Sequence, residues 1–267
     1  MPDVTDWDSR AKTYDGLGWV NRGDLVYWVA GLVEDAVRRS PAWPGLCAHP
    51  LLEVGVGTGA LTEALRRVHR MRHFDLLGVD VSAEMLKRCE LRLARAGLAA
   101  RLAQVSPTGQ IPAGPYAAVV SRMVLHHAPG HPRDMVADWV RLATPEGGVV
   151  VVAEGPPPVT DDRHPACDLY RAAMALKEPG RHVFHAHQVA GWLLDAGCRE
   201  VAIHERWTDG NSVKNWLAGG GIEGWLAEAI LALHREADPE ARATYRIEER
   251  DGDVVMRWRS CVVIGWR

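Results

Sequence analysis

Long apolar runs are missing from this 267-residue chain. Runs such as Val149–Ala153 fall far short of the roughly 20 residues that cross a bilayer as a helix, so no membrane span is expected. Paired cysteines are missing as well. Cys47, Cys89, Cys167, Cys198 and Cys261 are odd in number, widely spaced and contain no Cys-x-x-Cys, and reduced thiols in a cytoplasmic protein are the simplest reading. Neither sign of charge prevails: 31 basic residues face 34 acidic ones, for a net charge of −3, so a nucleic-acid partner is not expected. The first ten residues, MPDVTDWDSR, are acidic and polar and do not read as a signal peptide. There is no internal repeat and no low-complexity segment. What remains is ordinary globular composition, 47% hydrophobic and 24% charged, at a length that suits one large domain or one domain with insertions.

The most informative stretch is LLEVGVGTGALTEAL, residues 51–65. An apolar run ends in Glu53, glycines follow at Gly55, Gly57 and Gly59, and a helical pattern then begins. Such a strand–turn–helix unit brings bare backbone N–H groups to a ligand with the positive end of a helix dipole behind them. Glycine belongs where a Cβ would meet the ligand or forbid the backbone angles. A second apolar run, Phe74 to Val79, ends at Asp80 and continues Val81-Ser82. Two strands that each end in a carboxylate suit a cofactor with a ribose and a charged tail.

Strands are expected at 50–54, 74–79, 100–104, 116–121 and 147–153, with helices at about 59–70, 82–97 and 132–143. This alternation predicts a parallel sheet with helices on both faces. Residues 5–40 read as helical, with Leu25, Trp28, Val29, Leu32, Val33 and Val37 on one face. Beyond Glu154 the rhythm breaks. Helices are expected at 164–177 and 187–196, a strand at 199–206, two helical segments within 211–237, and a closing hairpin of Thr244–Arg250 and Val254–Trp266 around Asp251-Gly252-Asp253.

With Glu53, the glycine turn and Asp80 in place, the sequence resembles the class I S-adenosylmethionine (SAM)-dependent methyltransferases. It is most similar to the small-molecule group that includes the ubiquinone- and menaquinone-pathway methyltransferases. The likeness covers residues 7–154. Leu51–Leu61 matches the first motif of that family, LGVDVSAEML at 77–86 the second, AVVSRMVLHH at 118–127 the fourth strand and the helix after it, and RLATPEGGVVVV at 141–152 the turn into the fifth strand. Trp7, Arg10, Ala11 and Tyr14 fit its N-terminal W-x-x-R-A-x-x-Y pattern. The chain departs from the family at Val105-Ser106-Pro107-Thr108, where no acidic residue stands, and at Tyr116-Ala117, where Phe-Asp is usual.

The resemblance implies an α/β, Rossmann-like class I methyltransferase fold. Its sheet would be mostly parallel and seven-stranded with a C-terminal antiparallel strand, carrying helical cap insertions at about 155–190 and 207–243. Residues 1–45 would be N-terminal helices on the substrate side and 46–267 the methyltransferase core. It implies SAM as cofactor and S-adenosylhomocysteine as product. Glu53 would face the ammonium and Asp80 the ribose diol, with Gly55, Gly57, Gly59, Tyr14, Val81, Met85 and Ser121 around the cofactor. Backbone groups of Pro107 and Thr108 would serve the adenine. The acceptor would be a small molecule taking a methyl group on O, N, C or S, and the chain a monomer or homodimer.

Each candidate carries a plainer alternative. Met85 also reads as core; Trp7, a candidate substrate contact packed over the site, and Tyr14, a candidate cofactor cap, also read as packing residues. His126 and His127 stand where a general base would help, or they only orient loops. RHVFHAH, with Arg181, His182, His185 and His187, offers Arg181 and His185 as substrate contacts. No metal is expected there, because ligation needs ordered supporting partners. Trp207, Trp216 and Trp225 suit either a substrate lid or the packing of the second insertion. Two rivals stand beside methyl transfer. One is a SAM-binding protein that does not methylate. The other is an NAD(P)-dependent oxidoreductase, since the glycines also fit G-x-G-x-x-G/A ending at Ala60.

Overall fold

In the computed structural model, which describes residues 7–14, 22–107 and 110–267 (the side chains of Lys12 and Thr13 excepted), the apolar runs build one mixed sheet. Its strands are β1 Leu51–Val54, β2 Leu76–Asp80, β3 Arg101–Gln104, β4 Ala118–Arg122, β5 Val149–Glu154, β6 Glu200–Ser212, β7 Glu248–Arg250 and β8 Asp253–Trp266. They lie in the order β3-β2-β1-β4-β5-β8-β6, with β7 attached to β8. β1 to β5 pair in parallel, and β8 runs antiparallel to both β5 and β6. The mostly parallel sheet with a reversed C-terminal strand is therefore present, and β7 adds a short eighth strand.

Ten α-helices accompany it among the described residues: α1 Trp7–Tyr14, α2 Gly23–Arg39, α3 Ala60–Arg67, α4 Ala83–Arg95, α5 Pro132–Leu142, α6 Pro165–Lys177, α7 Ala186–Asp195, α8 Val213–Gly219, α9 Gly224–Arg235 and α10 Pro239–Tyr245. Alternate strand residues serve opposite faces. Leu51, Leu76, Ala118 and Val149 pack with α2 and α3, while Leu52, Leu77, Val119 and Val150 pack with α5 and α7. β5, between two neighbours and covered on both faces, is buried along its whole length, which is why its sequence is continuously apolar.

Register decides where the site lies. Glu154, the last residue of β5, pairs with Cys261. Residues 253–260 of β8 therefore run on past the ends of the parallel strands, with 255–260 paired to the far half of β6 and 253–255 to β7. α6, α8, α9 and α10 close around this ribbon in a second apolar cluster that includes Leu217, Ile230, Tyr245 and Met256. The cavity opens between that cap and the carboxyl ends of the parallel strands.

Three expectations are corrected. β6 does not stop at 206 but continues to Ser212 through an irregularity between Thr208 and Asn211, so Trp207 lies on the sheet and not in an insertion. The hairpin strand expected from Thr244 is helix up to Tyr245. Pro239 sits at the first helical position and Asp238 Oδ1 accepts the Glu240 N–H at 2.8 Å, a strong helix start. Only Glu248–Arg250 then pairs with β8, across Asp251 (φ +50°) and Gly252 (φ +73°), which together supply the two positive angles of a tight hairpin. Finally, the helical stretch of 5–40 is two helices, α1 and α2, and residues 15–21 between them lie outside the described residues.

Candidate active site

Three strands carry a carboxylate at or next to their last residue, on the same edge of the sheet: Glu53 on β1, Asp80 on β2 and Glu154 on β5. Around the first two lies the glycine turn. Gly55 (φ +69°) and Gly59 (φ +85°) are required by packing, because a Cβ would stand 2.3 Å from Val124 Cγ2 and 2.6 Å from Cys89 Sγ, respectively. Gly57 (φ +52°) differs: the nearest atom to its absent Cβ is Tyr14 Cε1 at 3.9 Å. Its N–H donates to Asp80 Oδ2 at 2.8 Å, and the Ser82 N–H donates to Asp80 Oδ1 at 3.0 Å, so the β1 turn and the β2 tip are tied together. Burial raises the Asp80 carboxyl against these donors.

Glu53 is fully enclosed. It accepts the Thr62 hydroxyl at 2.8 Å, and burial pushes its carboxyl up to about 8. Beside these acids, Thr58 Oγ1 and Ser121 Oγ are buried hydroxyls without a protein partner. Buried polar atoms are nearly always hydrogen-bonded. Two orphaned hydroxyls, a carboxyl that needs a cation to ionise and a carboxylate at a strand tip together fit a cofactor with an amino-acid end and a ribose.

α1 lies over this edge. Trp7 makes edge contacts with Tyr14 (6.5 Å between centroids) and with His127 (4.9 Å). Asp8 Oδ1 accepts the Ser82 hydroxyl at 2.5 Å and the Glu84 N–H at 3.2 Å, pinning α1 to the start of α4. Val81 is half-buried. Met85 is buried in the first turn of α4, its N–H capped by Ser82 Oγ at 3.0 Å, which is the role of a core residue. Pro107 is exposed in the loop after β3, and Thr108 lies outside the described residues.

Beyond Tyr14 the cleft widens into a cavity of about 1320 Å³, its open mouth included. His126 and His127 line it, their ring centroids 4.0 Å apart. His126 Nδ1 lies 2.7 Å from Glu154 Oε2, while Glu154 Oε1 accepts the N–H groups of Val124 (3.0 Å) and Leu125 (2.8 Å). Burial works against a charged Glu154, but His126 and the backbone donors hold its carboxyl below its usual range. Burial lowers both imidazoles. Glu154 opposes this at His126, whereas His127, with His126 beside it, falls to about 2. Both rings are neutral at physiological pH, and His126, bonded to a carboxylate through Nδ1, is the stronger base of the two.

The third polar group at this corner is Glu178. Its carboxylate lies within 4.8 Å of ring nitrogens of both histidines, but it is already paired with Lys177 (2.6 Å), Arg181 (2.9 Å) and Arg10 (3.6 Å). Three cations around one carboxylate work against a metal ion there.

The RHVFHAH segment does not act as a unit. Arg181 lines the cavity. His185 does not line it: its Nε2 lies 2.9 Å from Asp162 Oδ1 and its backbone begins α7. His182 bonds the Ala128 carbonyl at 3.1 Å, and His187 stacks on His185. Of the three tryptophans, Trp216 lines the cavity, Trp207 lies under the Arg257 guanidinium, and Trp225 is 79% exposed. Sequence reading missed Glu154, Lys177 and Glu178. Glu154 carried the same signal as Glu53 and Asp80, a carboxylate closing an apolar strand. Lys177 and Glu178 had none, since a Lys-Glu pair at a helix end reads as surface.

Comparison with known proteins agrees with this geometry. Residues 51–147 match the family described as a methyltransferase domain. A curated relative, the ubiquinone biosynthesis O-methyltransferase of Methylococcus capsulatus, is 33% identical over 110 residues, which is 40% of this chain and 44% of that protein, less than half its length. Among solved structures, the YcgJ protein of Bacillus subtilis superposes with a TM-score of 0.71 at 16% identity, covering 90% of this chain and 97% of the other. A Bacillus halodurans protein provisionally described as a methyltransferase gives 0.67 at 15% identity, covering 82% and 92%. The [4+2]-cyclase SpnF gives 0.52 at 17%, covering 88% and 80%. The Rossmann-like methyltransferase fold is thus shared with an enzyme of different chemistry, and the reaction has to be argued from the site.

Proposed function

We propose, from the match of residues 51–147 to a methyltransferase domain, that the chain is a class I SAM-dependent methyltransferase that transfers a methyl group to a small-molecule acceptor held in the cavity beyond Tyr14. One observation carries this reading. The Tyr14 ring both covers the open space at Gly57 and lines the cavity, so the cofactor cleft and the acceptor cavity share one wall.

When bound, SAM supplies an electrophilic methyl carbon on a cationic sulfur that leaves as a neutral thioether. The residues of the chain do the rest. Asp80, fixed by Gly57 and Ser82, presents its remaining lone pairs to a vicinal diol. Glu53 ionises to meet an ammonium, and Thr58 and Ser121 supply hydroxyls that are otherwise unpaired. Trp7 and Tyr14 exclude water from the junction, where alignment at about 3–3.5 Å is the main requirement of an in-line transfer. A protonated acceptor hydroxyl needs a base. His126 Nε2 takes that proton while Glu154, bonded to Nδ1, stabilises the imidazolium.

The test pairs binding with turnover. Calorimetry should show SAM and S-adenosylhomocysteine binding the purified chain and NADH leaving it unchanged. Tritium from methyl-labelled SAM should then appear in an acceptor from a small-molecule panel. Uptake of NADH with no response to either sulfur compound would overturn the proposal.

A further inference from the structure

We infer that the acceptor is an organic acid: a flat apolar body with a carboxylate that docks on Arg181 and Lys177. The inference rests on the methyltransferase reading and adds the substrate class. Six cationic side chains line the cavity among the described residues, against one carboxylate, Glu178. Some of these cations are committed elsewhere. Arg22 bonds Asp24 and Asn211, and Arg259 bonds Glu205 and the Pro157 carbonyl. Arg181 and Lys177 are the pair built for a ligand.

Their side chains are only 7% and 4% exposed, and both lean on the same Glu178 carboxylate. Tyr170 and Glu154 also face Arg181; the Tyr170 hydroxyl donates to the Gly155 carbonyl at 2.5 Å, and Glu154 is already taken by His126 and two backbone donors. The Arg181 Nε–H is buried with no acceptor. An arginine fork presents parallel donors that match a carboxylate. A buried donor left unpaired is destabilising, so an acceptor oxygen placed there gains more than it would at the surface.

The remainder of the wall is apolar and aromatic. Leu169, Met174, Tyr245 and Met256 line it with Trp216 and Trp258, whose rings meet edge to face at 6.1 Å, and Lys177 Nζ sits 4.9 Å over Trp216. A flat ring fits such a wall and a charged or sugar-like body does not. The anion position is also close to the transfer position, since polar atoms of His126, His127 and Glu178 all lie within 4.8 Å of one another. Because Arg181 and Lys177 both pair with Glu178, an acceptor that carries its acid group beside the hydroxyl that takes the methyl group suits both positions.

The test compares 3-hydroxy-2-naphthoate with 2-naphthol, the same body without the carboxylate. Each is titrated calorimetrically into the full chain, with and without saturating S-adenosylhomocysteine. The acid should bind at least tenfold more tightly than the naphthol. Arg181→Gln and Lys177→Met should each cut that preference several-fold while leaving S-adenosylhomocysteine affinity unchanged, and Arg181→Lys should keep part of it. Melting curves identify any variant that does not fold, and the remaining variants decide. Equal affinities, a preference that survives in every folded variant, or no heat from the acid up to millimolar concentration would overturn the inference. Failure of S-adenosylhomocysteine to bind would instead remove the methyltransferase reading, with the ratio between acid and naphthol still measurable on its own.

Discussion

On the proposed function, Glu53 is the residue whose protonation should report on the cofactor. Its carboxyl, pushed up to about 8 by burial, carries a proton at neutral pH. A cationic amino group arriving beside it stabilises the carboxylate, so cofactor binding at pH 7 should release close to one proton. Titrations in phosphate and in Tris, which differ in ionisation enthalpy, should give different apparent heats in the wild type and equal heats in Glu53→Gln. Equal heats in the wild type would remove Glu53 from the cofactor site. Gly57 supports a second prediction. Its left-handed angle makes Gly57→Ala unfavourable by about 1–2 kcal/mol, while the Cβ itself would meet only Tyr14 at ordinary contact distance. The variant should therefore fold with a modestly lower Tm but lose cofactor affinity by tenfold or more. An unchanged Kd would mean that the turn is only structural. The histidine pair separates in the same way. With His127 lowered to about 2 and His126 bonded to Glu154, His126→Ala should lower kcat by about 10²-fold or more, as loss of a positioned base does, with little change in cofactor Kd. Comparable losses in His126→Ala and His127→Ala would mean that neither acts as a base.

At the scale of elements, α1 lies over the cofactor-side edge of the sheet, and on the proposed function it should govern how long the cofactor stays. It reaches the rest of the molecule through Asp8 on Ser82 and Glu84, through Arg10 on Glu178 and through Trp7 on His127. Asp8→Ala removes the acceptor of the Ser82 hydroxyl and the Glu84 N–H, and with it the pin that holds α1 to the start of α4. Stopped-flow should show a faster cofactor off-rate with a nearly unchanged on-rate, and an unchanged off-rate would mean that α1 is not a lid. How much of the fold and site was legible in the sequence depends on how local each signal is. The glycine turn, β1, β2, β4 and β5 are short apolar runs with their stops beside them, and they could be read directly. The carboxylate at the end of β5 was equally visible, but its partner His126 lies 28 residues away and only the sheet brings the two together. The cap was harder still. α8 and α10 have seven residues each and are stabilised by contacts with α6, α9 and the β8 ribbon, not by their own periodicity. The start of α10 did have a local sign, Asp238-Pro239-Glu240, but the β-rich pattern of the hairpin after it masked it.

The whole molecule balances two sets of buried titratable groups that pull its stability in opposite directions with pH. His126, His127 and His234 are buried with lowered pKa values. Below about 6.5, their unperturbed value, the unfolded chain binds protons that the folded chain refuses, so stability falls as the medium becomes acidic. Glu53 acts in the other sense. Its folded value near 8 lies above the unfolded 4.5, so its contribution is complete below 4.5 and is lost as pH rises through 8. Each group alters the slope by about 1.4 kcal/mol per pH unit within its window. Glu53→Gln should therefore gain on the wild type steadily between pH 5 and 8 in urea denaturation, and His127→Phe should gain on it as pH falls below 6. A saturating cofactor should reproduce the Glu53→Gln effect without any mutation, because its ammonium stabilises the ionised carboxylate that otherwise destabilises the fold, beyond the pH-independent gain from binding itself. If the difference between bound and free protein stays flat from pH 5 to 8 while Glu53→Gln still changes the slope, the buried carboxyl does not face the cofactor, and the amino-acid end must lie elsewhere along the glycine turn.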